Sequence, residues 1–246
     1  MSENFGESFA ETLLSVIFPR RCPVCGEIVL PKGQRICPPC VKKLDFVREP
    51  RCLKCGRTLA DEQARYCHSC ETRERSFEKN LVLLFYDDCM RRTMAAVKYH
   101  HKKEYLAPLG RLLALKFAAE LKNFRADCLL PVPLHPERRR SRGFNQAEEL
   151  AREVAKELGL PLYTDLLLRH KKTAAQKSLG PDARIRNLAE AFRADETLLS
   201  ARGVRRVILV DDIFTTGSTI EASARVLRAA GAEAVMSVCL CIVPED

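Results

Sequence analysis

Val207-Ile208-Leu209-Val210-Asp211-Asp212-Ile213-Phe214-Thr215-Thr216-Gly217-Ser218-Thr219 is the stretch whose reading decides the fold. It opens on four apolar, mostly β-branched residues, the pattern of a parallel strand buried on both faces. Two adjacent carboxylates, Asp211 and Asp212, then stand at the carboxyl end of that strand. The run from Thr215 to Thr219 leads into a helix expected over Ile220–Ala230. Val226, Leu227 and Ala230 give that helix an apolar face, and Gly231 stops it. A loop entering a helix N-terminus presents unpaired N–H groups and partial positive charge, which suits a phosphate. Gly217 lets the backbone approach closely, and the hydroxyls of Thr215, Thr216, Ser218 and Thr219 add donors. Two carboxylates repel a bare phosphate; they suit ribose hydroxyls, or a magnesium ion one step from the phosphate. A sugar 5-phosphate with free hydroxyls answers both demands. A Walker phosphate loop is excluded, because no Gly-Lys-Ser/Thr closes the run.

The 246 residues leave room for one sizeable α/β domain and a small module, and 46% hydrophobic content supports a real core. The formal charge is +9. No run of about eighteen apolar residues occurs, so no membrane span is expected. The first twenty residues carry Glu3 and Glu7 and end at Pro19-Arg20-Arg21, unlike a secretory leader. Residues 1–19 are expected to form a docking helix, with Leu13, Leu14, Ile17 and Phe18 on one face. A cytoplasmic location is the expectation.

Eight of the twelve cysteines fall in Cys-x-x-Cys pairs: Cys22/Cys25, Cys37/Cys40, Cys52/Cys55 and Cys67/Cys70. The pairs repeat every fifteen residues. Each pair places two thiolates on one backbone knuckle, and two knuckles complete a tetrahedral zinc site. Two structural zinc ions, each held by four cysteines, are therefore expected within residues 20–76. A disulfide framework fits neither the regular pairing nor the absent leader. Sequential pairing (22, 25, 37, 40, then 52, 55, 67, 70) suits the eleven-residue loops. A cross-braced arrangement is the alternative. His68 is a bystander inside the last knuckle, and Cys89, Cys128, Cys239 and Cys241 read as core residues. The module's formal +6 falls to roughly +2 once eight thiolates and two zinc ions are counted. With only Phe46 and Tyr66 available for stacking, its charge decides for neither a nucleic-acid role nor a purely structural one.

Further along, Leu81–Tyr86 reads as a strand, Arg91–Tyr99 as a helix, and Tyr105–Lys122 as a longer amphipathic helix. His100 and His101 read as exposed helix-end residues. Cys128–Pro133 is a second strand. It is followed by a basic loop holding Arg138, Arg139, Arg140 and Arg142, then by a helix over Gln146–Leu158 stopped by Gly159. A strand, a basic loop and a helix start form an anion site. A strand is expected over Leu188–Arg193.

Residues 207–219 closely resemble, at all thirteen positions, the signature of type I phosphoribosyltransferases, which bind phosphoribosyl pyrophosphate (PRPP). Together with the cysteine module, PVPLHPERRRSRGFNQ (131–146) and KKTAAQKSLG (171–180), the chain from Leu13 to Val243 resembles the ComF family of competence proteins. Many members of that family carry a single four-cysteine site, whereas this chain has a doubled ribbon. The resemblance implies a mainly parallel α/β sheet with helices on both faces over residues 77–246, beside the zinc-ribbon module of residues 20–76. It also implies PRPP with Mg2+ as ligand. Asp211 and Asp212 would lie on the ribose, Thr215, Thr216, Gly217, Ser218 and Thr219 on the 5-phosphate, and the arginines on the diphosphate. Residues 169–188 would lie where the family carries a mobile loop over the reactants; a plain solvated connector is the alternative. Three functions are compatible: a transferase displacing pyrophosphate onto an unidentified acceptor, a PRPP sensor without catalysis, and a protein handling single-stranded DNA with the competence machinery.

Overall fold

In the computed structural model, which describes residues 19–31, 33–170, 185 and 188–244, the central sheet is parallel. Its strands are β1 (Asn80–Phe85), β2 (Cys128–Pro131), β5 (Arg206–Phe214) and β6 (Ala234–Ile242), in the order β1-β6-β5-β2. An antiparallel pair, β3 (Leu167–Arg169) and β4 (Phe192–Ala194), stands apart from it. Apart from single helical turns in the two ribbons (Pro38–Val41 and His68–Glu71), the described helices are α1 (Asp88–Tyr99), α2 (Leu106–Lys116), α3 (Ala118–Asn123), α4 (Pro136–Arg142), α5 (Gln146–Leu158), α6 (Glu196–Ala201) and α7 (Ser218–Ala229). No helix among the described residues is long and apolar enough to cross a membrane.

The alternation of β5 builds two cores, one on each face of the sheet. Ile208 and Val210 point into a cluster with Met90, Met94, Leu109 and Leu150 from α1, α2 and α5. Val207 and Leu209 point the other way, among Leu199, Ile220, Ala224 and Leu227 from α6 and α7. All nine residues of β6 are buried, which is why that strand shows no polar alternation. Cys128, Cys239 and Cys241 are buried in these cores, and Cys89 is half-buried.

The two ribbons straddle the sheet. Cys22, Val29, Ile36, Cys40 and Leu44 of the first join the α1/α2/α5 core. Val47, Cys52, Cys55 and Leu59 of the second join the α7 core. The chain passes from one face to the other at Asp45–Val47, which pairs antiparallel with the outer edge of β1. There Val47 N donates to Leu83 O at 3.0 Å and Phe85 N to Asp45 O at 2.8 Å. The zinc module thus covers a strand edge that would otherwise offer open hydrogen-bonding groups.

Several expected elements take a different form. The helix expected over Tyr105–Lys122 is a short 3-10 turn (Lys103–Tyr105) followed by two helices that break at Phe117. The break leaves Phe117 and Leu121 both buried, with the Arg51 guanidinium 5.9 Å from the Phe117 ring centre. The strand expected over Leu188–Arg193 forms later, at Phe192–Ala194. The basic loop is a helix, α4: Pro136 occupies its first turn, Glu137 N donates to His135 Nδ1, and Gly143 ends it at φ 76°. The docking helix over 1–19, save Pro19, and residues 171–184, 186 and 187 of the expected mobile loop lie outside the described residues.

Buried Asn80, at the start of β1, ties the second ribbon to the sheet. Its side-chain amide donates to Cys55 O at 2.9 Å, its backbone N–H donates to Lys54 O at 2.7 Å, and its Oδ1 accepts from Ser237 Oγ at 2.8 Å. A Cβ on Gly56, whose φ is +77°, would lie 2.6 Å from Asn80 O. Gly26 has the same φ in the matching knuckle of the first ribbon, but there the nearest atom is Tyr105 Oη at 3.8 Å. Gly26→Ala is therefore expected to cost only the left-handed strain of about 1–2 kcal/mol. Gly56→Ala adds a backbone clash and is expected to cost about 3 kcal/mol or more. Urea denaturation of the two variants checks this, and equal losses would contradict the docking described.

Candidate active site and metal centres

The thiols of Cys22, Cys25, Cys37 and Cys40 converge, as do those of Cys52, Cys55, Cys67 and Cys70, each set within 4.8 Å. This is the sequential pairing. The knuckles repeat one hydrogen bond, Gly26 N to Cys22 O and Gly56 N to Cys52 O, both at 2.9 Å. Burial and the neighbouring thiols push Cys40 up to about 12. Hydrogen bonds from Cys55, Cys67 and Cys70 hold Cys52 far below the usual thiol range. Four thiols this close cannot all ionise without a cation among them, and a donor set of four cysteine sulfurs fits zinc. His68 lies outside both clusters.

The second constellation lies at the carboxyl ends of β5 and β2. Strand β5 continues past Val210 through the acidic pair to Phe214, so both aspartates are strand residues. Asp212 N donates to Asp211 Oδ1 at 2.9 Å. Burial, then the adjacent Asp212 charge, pushes the Asp211 carboxyl well above the ordinary range, and Lys98 opposes that rise. Lys98 Nζ, from the last turn of α1, lies 2.6 Å from Asp212 Oδ2, with both side chains largely buried. Lys98 follows Met94 by four residues, so a cation on the buried stripe of an amphipathic helix was its sequence signal.

The turn Thr215-Thr216-Gly217 carries the chain into α7. Gly217 caps the helix at φ 77°, and any Cβ there would meet the Phe214 ring at 2.4 Å. Only glycine closes this turn over Phe214 without displacing the ring. Thr216 Oγ1 and Ser218 Oγ are hydrogen-bonded at 2.8 Å, and Ser218 and Thr219 form the first turn of α7. The N–H groups of that first turn are free of intrahelical partners and can receive an oxyanion.

The four arginines of α4 are divided by the helix. Arg139 pairs with Glu148 of α5 at 3.2 Å, Arg140 is exposed, and Arg142 is half-buried. Arg138 and Asp211 both act on Arg169, at the end of β3: burial lowers its basicity first, Arg138 adds to that, and Asp211 opposes it. Arg169 stacks on Phe192 at 5.4 Å. Arg138 and Arg169 thus form a cationic rim that reaches Asp211 through Arg169. Gln146, buried at the start of α5, has an Oε1 atom without a hydrogen-bond partner among the described residues. His100 and His101 are exposed, and His101 Nδ1 lies 3.2 Å from Arg142 O.

The sequence reading missed how the second ribbon reaches this site. Arg57 Nη2 donates to Thr215 O at 3.2 Å and its Nη1 to Val243 O at 2.8 Å. Ser76 N and Oγ both donate to buried Glu221 of α7 at 2.9 Å, and Arg225 Nε donates to the same carboxylate at 2.8 Å. The ribbon therefore clamps both the turn and the helix behind it.

Comparison with known proteins follows the same division. The double zinc ribbon domain family matches residues 13–71, and the phosphoribosyl transferase domain family matches residues 143–246. Competence protein F of Haemophilus influenzae is 30% identical over 89% of this chain and 95% of its own length. The DNA utilization protein YhgH of Escherichia coli K12 is 30% identical over 77% of this chain and 83% of its own. Competence protein ComFC of Streptococcus pneumoniae is 26% identical over 81% and 84%.

Proposed function

This chain belongs to the ComF family of competence proteins, and on that premise we propose that it binds PRPP with magnesium and transfers the phosphoribosyl group to an acceptor. The observation that carries this reading is the order of groups along β5, the turn and α7: acidic pair, glycine turn, free helix N-terminus. Asp211 and Asp212 hold the ribose hydroxyls, and Lys98 fixes the Asp212 carboxylate. The N–H groups and hydroxyls from Thr215 to Thr219 hold the 5-phosphate. Arg138 and Arg169 face the diphosphate across the acidic pair, with Arg139, Arg140 and Arg142 adding charge around it. Carboxylates beside a substrate diphosphate fit magnesium, which supplies charge neutralisation to the leaving group when bound. In the transfer, the bond from the anomeric carbon to the diphosphate oxygen breaks with its electron pair on pyrophosphate. The acceptor's lone pair then forms the new bond at that carbon. The cationic rim stabilises the departing charge, a preorganised electrostatic role.

The experiment is pyrophosphate release from PRPP and magnesium against a panel of nucleobases, ammonia and other nucleophiles. Release that requires one acceptor supports the transferase. Tight binding with no release for any acceptor replaces it by the sensor. A role with DNA has separate support: the DNA utilization and competence names of the relatives, and exposed Tyr66 in a groove of about 430 Å³ where Lys54, Arg73 and Arg75 outnumber Glu71 and Glu74. Aromatic stacking beside cations is how single strands are held. Oligonucleotide binding that weakens with salt and is lost in Tyr66→Ala supports that reading.

A further inference from the structure

Between the second zinc ribbon and the turn at Thr215–Gly217 lies a cavity of about 110 Å³. One wall is Phe214, Thr216 and Ser218; the other is Arg57, Arg73 and Arg75 with the Cys55/Cys67/Cys70 side of the metal cluster. We propose that this cavity is an oxyanion site shared between the two modules, in which ribbon arginines complete the seat of the terminal phosphate. The proposal rests on the PRPP reading and assigns a task to the doubled ribbon.

Size limits the ligand first. The cavity is far larger than the roughly 10–15 Å³ that admits one water, and well below the ~300–1,000 Å³ of a drug-sized pocket. It fits a phosphoryl group, with the rest of the ligand lying outside the cavity. Charge limits it next. Three guanidiniums line the space, and its lining holds no Asp or Glu. A zinc tetrathiolate carries −2, so neutralising the adjacent metal site leaves one positive charge over. Geometry then distinguishes the arginines. Arg57 is held by the carbonyls of Thr215 and Val243, and Arg75 is held by Ser69 Oγ at 3.0 Å and by the Phe77 ring. Both therefore present fixed charge. Arg73, half-buried, has no hydrogen bond or ion pair to any described residue and is the arm able to close on a ligand. Opposite it, the Thr216 and Ser218 hydroxyls supply donors at the start of a twelve-residue helix.

Because ribbon and turn share this wall, zinc and phosphate affinity are linked, and the linkage acts in both directions. The test uses full-length, zinc-loaded protein titrated with inorganic phosphate and ribose 5-phosphate by calorimetry. Arg73→Gln is expected to weaken both ligands at least tenfold with two zinc ions retained, and Arg73→Lys to restore part of the loss. Saturating ribose 5-phosphate is expected to slow chelator removal of one of the two zinc ions in the parent, and not in Arg73→Gln. Unchanged affinity in Arg73→Gln overturns the shared site and leaves the PRPP reading standing. Loss of zinc from that variant with phosphate affinity intact assigns Arg73 to balancing the thiolates and also overturns it. A parent that binds ribose 5-phosphate but gives no heat with PRPP and magnesium defeats the transferase reading alone.

Discussion

Protein carrying Asp211→Asn and Asp212→Asn together binds PRPP with magnesium at least a hundredfold more weakly than the parent. Each carboxylate gives up charge-assisted hydrogen bonds of about 1.5–3 kcal/mol, so losing both crosses that threshold. The single variant Asp211→Asn shows that this loss is not unfolding. Burial and Asp212 raise the folded pKa of Asp211 above its unfolded value. Such a group stabilises the fold fully below its unfolded pKa of about 3.9, and that contribution is lost as pH rises through the folded pKa. Asparagine keeps the oxygen that accepts from Asp212 N and removes the cost of a buried, ionised carboxylate. Asp211→Asn is accordingly expected to melt about 2–4 °C above the parent at pH 8, on the order of 1 kcal/mol, and no higher at pH 4. Stability gained where binding is lost marks a residue kept for function. A variant that melts lower at pH 8 would contradict this account of Asp211.

The second large effect is expected at the metal. Cys52→Ser reduces bound zinc from two ions to one, measured by atomic absorption, and lowers the melting midpoint by about 10 °C or more. Cys52 and Cys55 are core residues, packed with Val47, Leu59, Phe77 and Val82 against the sheet. A ribbon this small folds on its metal, whose binding to zinc-finger peptides contributes about 10–16 kcal/mol. Its collapse also releases Arg57 from Thr215 O and loosens the segment through which Ser76 reaches Glu221. PRPP affinity therefore falls with the zinc, although no ribbon cysteine touches the acidic pair. Loss of the zinc with PRPP affinity unchanged would show that the ribbon merely neighbours the site.

Local chemistry was legible in the sequence, and contacts between distant segments were not. The strand, acidic pair and hydroxyl turn were readable because apolar run, charge and glycine follow one another within thirteen residues. The cysteine repeat announced two metal clusters for the same reason. The expected basic loop is helical because His135-Pro136-Glu137 starts α4 and Gly143 stops it, signals that the charge of the arginines overshadowed. The break at Phe117 carries no proline or glycine, and it is set by what Phe117 and Leu121 bury. Lys98 reaching Asp212, and Arg57 reaching Thr215, bring together residues more than a hundred positions apart. Such pairings are properties of the sheet order β1-β6-β5-β2, which no local pattern encodes.

Calorimetry of the full, zinc-loaded chain with PRPP and magnesium tests the account most directly. One site per chain, lost in the double aspartate variant and retained when Tyr66 is replaced, is the predicted result. Well-folded protein with two zinc ions and no heat on PRPP addition would contradict it.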